Sequence, residues 1–166
     1  MKKMICVLMA AMLLLSLGGC GEKAPAQTTV PAETEAAGPV SVDLEGLYET
    51  LAGKMPEMIR LDETMMLNFC GIAKADCKAA VVATCADGLK TDEIWLIEAA
   101  DEAALERLKT MAETRLRMKG EESVTYSPEQ YAVVQKAEVI VKDLYLMVVV
   151  SPDVEDLSEI CRGALG

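Results

Sequence analysis

Between residues 41 and 166 the apolar positions follow two rhythms, one of three to four residues and one of two or fewer, and the changes of rhythm divide the chain into helices and strands. Leu44, Leu47, Tyr48, Leu51 and Met55 recur at the i, i+3, i+4, i+7 spacing of a helix with one buried face, capped by Ser41 and closed by Gly53 and Pro56. A second, short helix is expected from Asp62 as N-cap through Met65, Met66 and Phe69, ending at Gly71.

Residues 78 to 86 and 93 to 99 are apolar runs on either side of the polar break Asp87-Gly88-Leu89-Lys90-Thr91-Asp92, and they predict a strand pair. Asp101 then caps a long helix with Leu105, Leu108, Ala112 and Leu116 on one face. Glu102, Glu106, Arg107, Lys109, Glu113 and Arg117 lie mostly on the other, and Gly120 is expected to stop the helix. Ser127-Pro128-Glu129-Gln130 has the capping-box arrangement of a further short helix.

Ala137 to Val141 and Leu144 to Val150 flank Lys142-Asp143, a two-residue break suited to a hairpin. The second of these strands has no polar alternation, which places it centrally or buries both its faces. Pro152 and Asp153 open a last helix with Val154, Leu157, Ile160, Cys161 and Ala164 inward. The main order is helix, helix, strand, strand, helix, strand, strand, helix. It implies an α+β fold, a single domain with helices packed on a small, largely antiparallel four-stranded sheet.

The first forty residues follow neither rhythm. Lys2 and Lys3 precede an uncharged apolar stretch from Met4 to Leu17, the layout of a secretory signal. That stretch is shorter than the roughly 20 apolar residues of a spanning helix. Leu17-Gly18-Gly19-Cys20 resembles the bacterial lipobox, and the resemblance implies cleavage before Cys20 and lipid attached to its thiol. From Gly21 to Pro39 the chain is aperiodic, with Pro25, Pro31 and Pro39 spaced through it, and it reads as a disordered tether. The expected organisation is therefore a signal peptide at 1–19, a lipidated cysteine with a Pro/Ala/Thr/Glu tether at 20–40, and a globular domain at 41–166.

Charge narrows the partners. The net charge is −11, and removing Lys2 and Lys3 with no acid takes it to −13. This balance opposes a nucleic-acid backbone and an anionic lipid surface, because both need clustered Lys and Arg to replace their counterions. The partners expected are the membrane, through the anchor, and a protein or other component of the cell envelope.

Asp92-Glu93-Ile94, Tyr126-Ser127-Pro128-Glu129-Gln130 and Val148-Val149-Val150-Ser151 carry a resemblance to a bacterial family of unknown function, numbered 4358. The resemblance spans about residues 41 to 165. It implies a small exported lipoprotein, of the kind found mainly in Gram-positive anaerobes, with no assigned activity. The chain departs from the family pattern at Lys142-Asp143, where Gly or Asn is expected, and in its additional cysteines.

Candidate chemistry is sparse. The absence of histidine removes the usual general base and the commonest metal ligand together. No serine lies in a nucleophile motif, and Ser127 reads as a cap. A small hydrolase could use carboxylates, but Glu93, Glu98, Glu129 and Glu138 read as solvated faces or caps. No Gly-rich phosphate loop is present, because Gly18, Gly19 and Gly21 belong to the signal and its junction.

Cys70, Cys77, Cys85 and Cys161 lack a CxxC pair and the common zinc spacings, leaving buried reduced thiols or one or two disulfides in an exported domain. Met55, Met58, Met65 and Met66 have the ligand type of a copper site but the spacing of core residues. Trp95 and Ile97 oppose Ile94 and Leu96 on their strand, so either an apolar groove is open or helices cover both sheet faces. No cofactor and no metal are expected. The reading that remains is a non-enzymatic lipoprotein, a binding or accessory module; a carboxylate hydrolase and a small-solute receptor are its alternatives.

Overall fold

The computed structural model describes residues 41–166, so the signal and tether segments, with Leu17, Gly18, Gly19 and Cys20, lie outside the described residues. The elements in order are α1 (Leu44–Ala52), β1 (Met58–Arg60), α2 (Glu63–Met65), a π-turn (Met66–Cys70), a 3-10 turn (Lys74–Asp76), β2 (Cys77–Cys85), β3 (Glu93–Ala99), α3 (Glu102–Tyr126), α4 (Pro128–Gln135), β4 (Glu138–Lys142), β5 (Tyr145–Val150) and α5 (Val154–Leu165). The strands form one antiparallel sheet in the order β1-β2-β3-β5-β4. The α+β class and the antiparallel sheet agree with the sequence pattern, with five strands instead of four. β1 is the addition: its three residues pair Met58 with Cys85 and Arg60 with Ala83, and so short an edge strand leaves no alternation to read.

β3 and β5 lack polar alternation because helices cover both sides of the sheet. Trp95 and Ile97 on β3, with Leu146, Val148 and Val150 on β5, face Leu105, Leu108 and Ala112 of α3 and Val133 and Val134 of α4. Ile94, Leu96, Met147 and Val149 point the other way, onto Leu44, Leu47 and Leu51 of α1 and Leu157, Cys161 and Leu165 of α5. The alternative of an open groove over Trp95 is thereby excluded, since Trp95 and Ile97 are fully buried.

Several local expectations shift by a residue or more. The cap of α1 is Asp43, whose carboxylate accepts from the Gly46 amide at 3.1 Å, and not Ser41. The hairpin turns at Asp143-Leu144, one residue later than the expected break, because Lys142 pairs with Tyr145; Asp143 carries the positive φ (50°) in place of Gly or Asn. Lys142 Nζ donates to the Leu165 carbonyl at 2.8 Å, where a cation suits the C-terminal end of α5.

Gly120 does not end α3, which runs on to Tyr126. Mid-helix glycine costs only about 1 kcal/mol relative to alanine, and here the helix is held by α4, with Tyr131 lying over Gly120. The stop is Ser127, extended at φ −151° and ψ 95°, as the residue before a proline prefers. Asp62 caps α2 as expected, but the π-turn that follows directs Met66 and Cys70 into the core and leaves Phe69 outside.

Leu96→Ala, at the centre of this two-sided core, is expected to lower the unfolding free energy by about 2–5 kcal/mol. Leu89→Ala, on a side chain 73% exposed, should change it by less than about 0.5 kcal/mol. Urea denaturation of both variants checks the contrast.

Candidate functional site

The chemistry-bearing residues gather where β3 begins. Glu93 is the first residue of β3 and shares a face with Trp95, so its carboxylate points toward α3 and not toward solvent. It is 1% exposed, which corrects its reading as a solvated or capping residue. Arg115 and Lys119, four residues apart on α3, continue the buried stripe begun by Leu108 and Ala112 and meet it there.

The carboxylate is saturated. Oε2 accepts from Arg115 Nη2 at 2.8 Å and pairs with Lys119 Nζ at 3.0 Å. Oε1 accepts from Trp95 Nε1 at 2.8 Å and Arg115 Nε at 3.1 Å. Burial by itself would raise the Glu93 carboxyl, but the Arg115 hydrogen bonds and the charges of Lys119 and Arg115 outweigh it and hold the group below the ordinary carboxylate range.

A second knot adjoins the first at Thr91. Lys119 Nζ donates to the Thr91 carbonyl at 2.8 Å, and the Thr91 amide and hydroxyl both donate to Gln130 Oε1, at 2.9 and 3.0 Å. Only half of the expected capping box therefore forms. Ser127 Oγ accepts from the Gln130 amide at 3.2 Å, while the Gln130 side chain reaches across to Thr91 instead of returning to Ser127. Asp92 is buried beside this knot with Oδ1 unpartnered; burial raises its carboxyl, and its own backbone amide with Lys90 and Lys119 restores only part of the shift. Val150 pairs with Glu93, and the next residue, Ser151, accepts from the Asp153 amide at 3.2 Å to start α5.

Two clefts flank Arg115. On one side the π-turn and α3 enclose about 290 Å³ between Leu67, Phe69, Gly71, Met111, Thr114 and Met118. Leu67, Phe69 and Met118 are 53%, 56% and 44% exposed, so this wall is apolar and open. π-turns recur at functional positions in helices. On the other side a cavity of about 220 Å³ lies between the 84–91 segment and α3, with Lys90, Arg115 and Lys119 on its walls.

The other candidates disperse. Glu98 pairs with Lys78 at 2.5 Å, Glu138 pairs with Arg162, and Glu129 is exposed on the first turn of α4. Met66 and Met65 belong to the core under α3, whereas Met55 and Met58 pack on the opposite side of the sheet, so the four thioethers share no site. The four cysteines are free thiols, with Cys70 and Cys161 on opposite faces of the sheet. Burial pushes Cys70 up to about 12, and Cys77 and Cys161 up to about 11. Among the described residues no group of three or more Cys, Asp or Glu is placed to hold a metal ion, and no helix is long and apolar enough to cross a membrane.

The cluster itself left one signal in the sequence. Arg115 and Lys119 sit at positions that the stripe of Leu108 and Ala112 marks as buried, and a buried cation calls for a buried acid.

Two measurements follow from this geometry. Folding lowers the Glu93 carboxyl below its unfolded value of about 4.3, so its contribution is complete above that pH and is lost as pH falls through the lower folded value. Glu93→Gln should therefore cost about 3–5 kcal/mol at pH 7. The gap from wild type should close as the pH drops below about 4, and a pH-independent gap in urea titrations would contradict the assignment. In the native protein at neutral pH, Cys70, Cys77 and Cys161 should alkylate slowly with iodoacetamide, because little thiolate is present, and all should react after denaturation; mass spectrometry of timed samples reads both.

No curated protein and no solved structure matches the chain. A family model does, over residues 52–151, which take in all five strands, α3, α4 and every member of the Glu93 and Thr91 knots. The three segments that carry the sequence resemblance thus meet at one end of the sheet, and the chain belongs to the family described as a domain of unknown function, DUF4358.

Proposed function

We infer that this protein is a membrane-tethered binding module of the cell envelope, not an enzyme, held by lipid on Cys20 and facing away from the cytoplasm. The observation that carries the reading is the apolar cleft at the π-turn, where Leu67, Phe69 and Met118 stay exposed beside a rigid ion cluster. Isolated apolar side chains on a surface need no explanation, but three that line one cleft fit a partner's apolar segment. The sequence supports the anchor: two acyl chains on Cys20, at about 0.8 kcal/mol per buried methylene, would hold the domain stably where one would exchange.

Catalysis by carboxylates is not favoured. Glu93, the most deeply buried acid among the described residues, has both oxygens occupied by cationic and indole donors and so has no free position from which to take or give a proton. A small-solute receptor of the two-lobed kind is not favoured either, because one sheet spans the domain.

Two experiments on producing cells test the reading. Radiolabelled palmitate should enter the wild-type protein and not Cys20→Ala, which should leave the membrane fraction; label in both, or membrane retention without it, would refute the anchor. A photo-crosslinking residue at Phe69 should yield one dominant protein adduct that Leu67→Ser with Met118→Ser suppresses, while the same probe at exposed Leu89 should not. Identical adduct patterns at the two positions would refute the cleft as the binding surface.

A further inference from the structure

Arg115 and Lys119 both pair directly with the carboxylate of Glu93. The charge of buried Asp92 is felt at Lys119 and that of Glu122 at Arg115, but neither acid makes an ion pair there. The donors of the two cations are not exhausted. An ammonium has three N–H groups, and Lys119 directs bonds to two oxygens, Glu93 Oε2 and the Thr91 carbonyl. Arg115 engages Glu93 through Nε and Nη2, and among the described residues its Nη1 makes no hydrogen bond.

Both residues line the cavity of about 220 Å³ beneath the 84–91 segment. Lys90 stands exposed at its rim and makes no ion pair among the described residues, although its charge is felt by Asp92. Thr84 and Tyr126 also line it, and Glu122 is the one acid lining it among the described residues. Lys119 itself is 6% exposed, so its charge is held in place and only lightly screened.

We propose that this cavity binds a phosphate group, carried on a small solute or on a lipid headgroup, through Lys90, Arg115 and Lys119. An oxyanion seated against Lys119 and Arg115 would engage their unused N–H groups through charge-assisted hydrogen bonds. The space corresponds to roughly seven waters, enough for a phosphate and the first atoms of whatever carries it. The net charge of −11 repels anions elsewhere on the surface, so uptake of phosphate would be a property of this cavity. The site lies across Arg115 from the apolar cleft and stands or falls independently of the partner proposed there.

The test is calorimetric titration of the full chain with inorganic phosphate at constant ionic strength, set against chloride. A parallel titration uses dihexanoyl phosphatidic acid below its micelle concentration. Wild type should bind saturably, with the affinity weakened about tenfold by Lys90→Ala and by Lys119→Met, and unchanged by Lys54→Ala on another surface. Lys90 is exposed, so its variant keeps the test valid should Lys119→Met fail to fold. Binding of inorganic phosphate with this dependence supports a soluble phosphate ligand, and binding of phosphatidic acid alone with the same dependence supports a lipid headgroup. Absence of both, or equal affinities in Lys90→Ala and Lys54→Ala, overturns the site.

Discussion

A carboxylate removed from water must be neutralised where it lies, and the burial of Glu93 at the start of β3 imposes that requirement on the structure around it. The second half of α3 has to lie against the sheet so that Arg115 and Lys119 can reach the carboxylate. Lys119 then takes the Thr91 carbonyl, and Thr91 takes the side chain of Gln130. One buried acid thereby joins β3, the preceding segment, α3 and α4 through polar contacts whose geometry is specific. The apolar core supplies most of the driving force for folding, but it is far less selective about register.

The same arrangement separates two kinds of surface. Arg115 stands between an apolar cleft formed by the π-turn and a cationic cavity formed by the segment before β3. Its guanidinium is held by Glu93, so the partition between the two is fixed. The opposite face of the sheet, under α1 and α5, offers a closed apolar layer instead.

Much of the fold was legible because its signals are local. Asp62, Asp101 and Ser127 each cap the helix that the apolar spacing announces, and the unbroken apolar runs of β3 and β5 follow from having helices on both sides. The site was legible only through the cations Arg115 and Lys119 on the buried stripe of α3, because the rest of it depends on contacts across the chain. Glu93 opens a strand after a polar break, a position that ordinarily belongs to a solvated rim, and only the approach of α3 from 22 residues away turns it inward. Gly120 resembles a helix stop until α4 packs on it, and Gln130 resembles half of a local cap until Thr91 is beside it. The β1 pairing and the π-turn fall below the length at which periodicity carries information.

The Glu93 cluster, and not apolar packing alone, holds the second half of α3 and the start of α4 on the sheet. Native-state hydrogen exchange on wild type and Glu93→Gln tests it most directly. Amides from Arg115 to Val134 should lose protection well beyond the loss at the centres of β3 and β5, because that segment opens without its electrostatic tie. An equal loss everywhere, or none between Arg115 and Val134, would contradict the account and leave the cluster as a passive consequence of the fold.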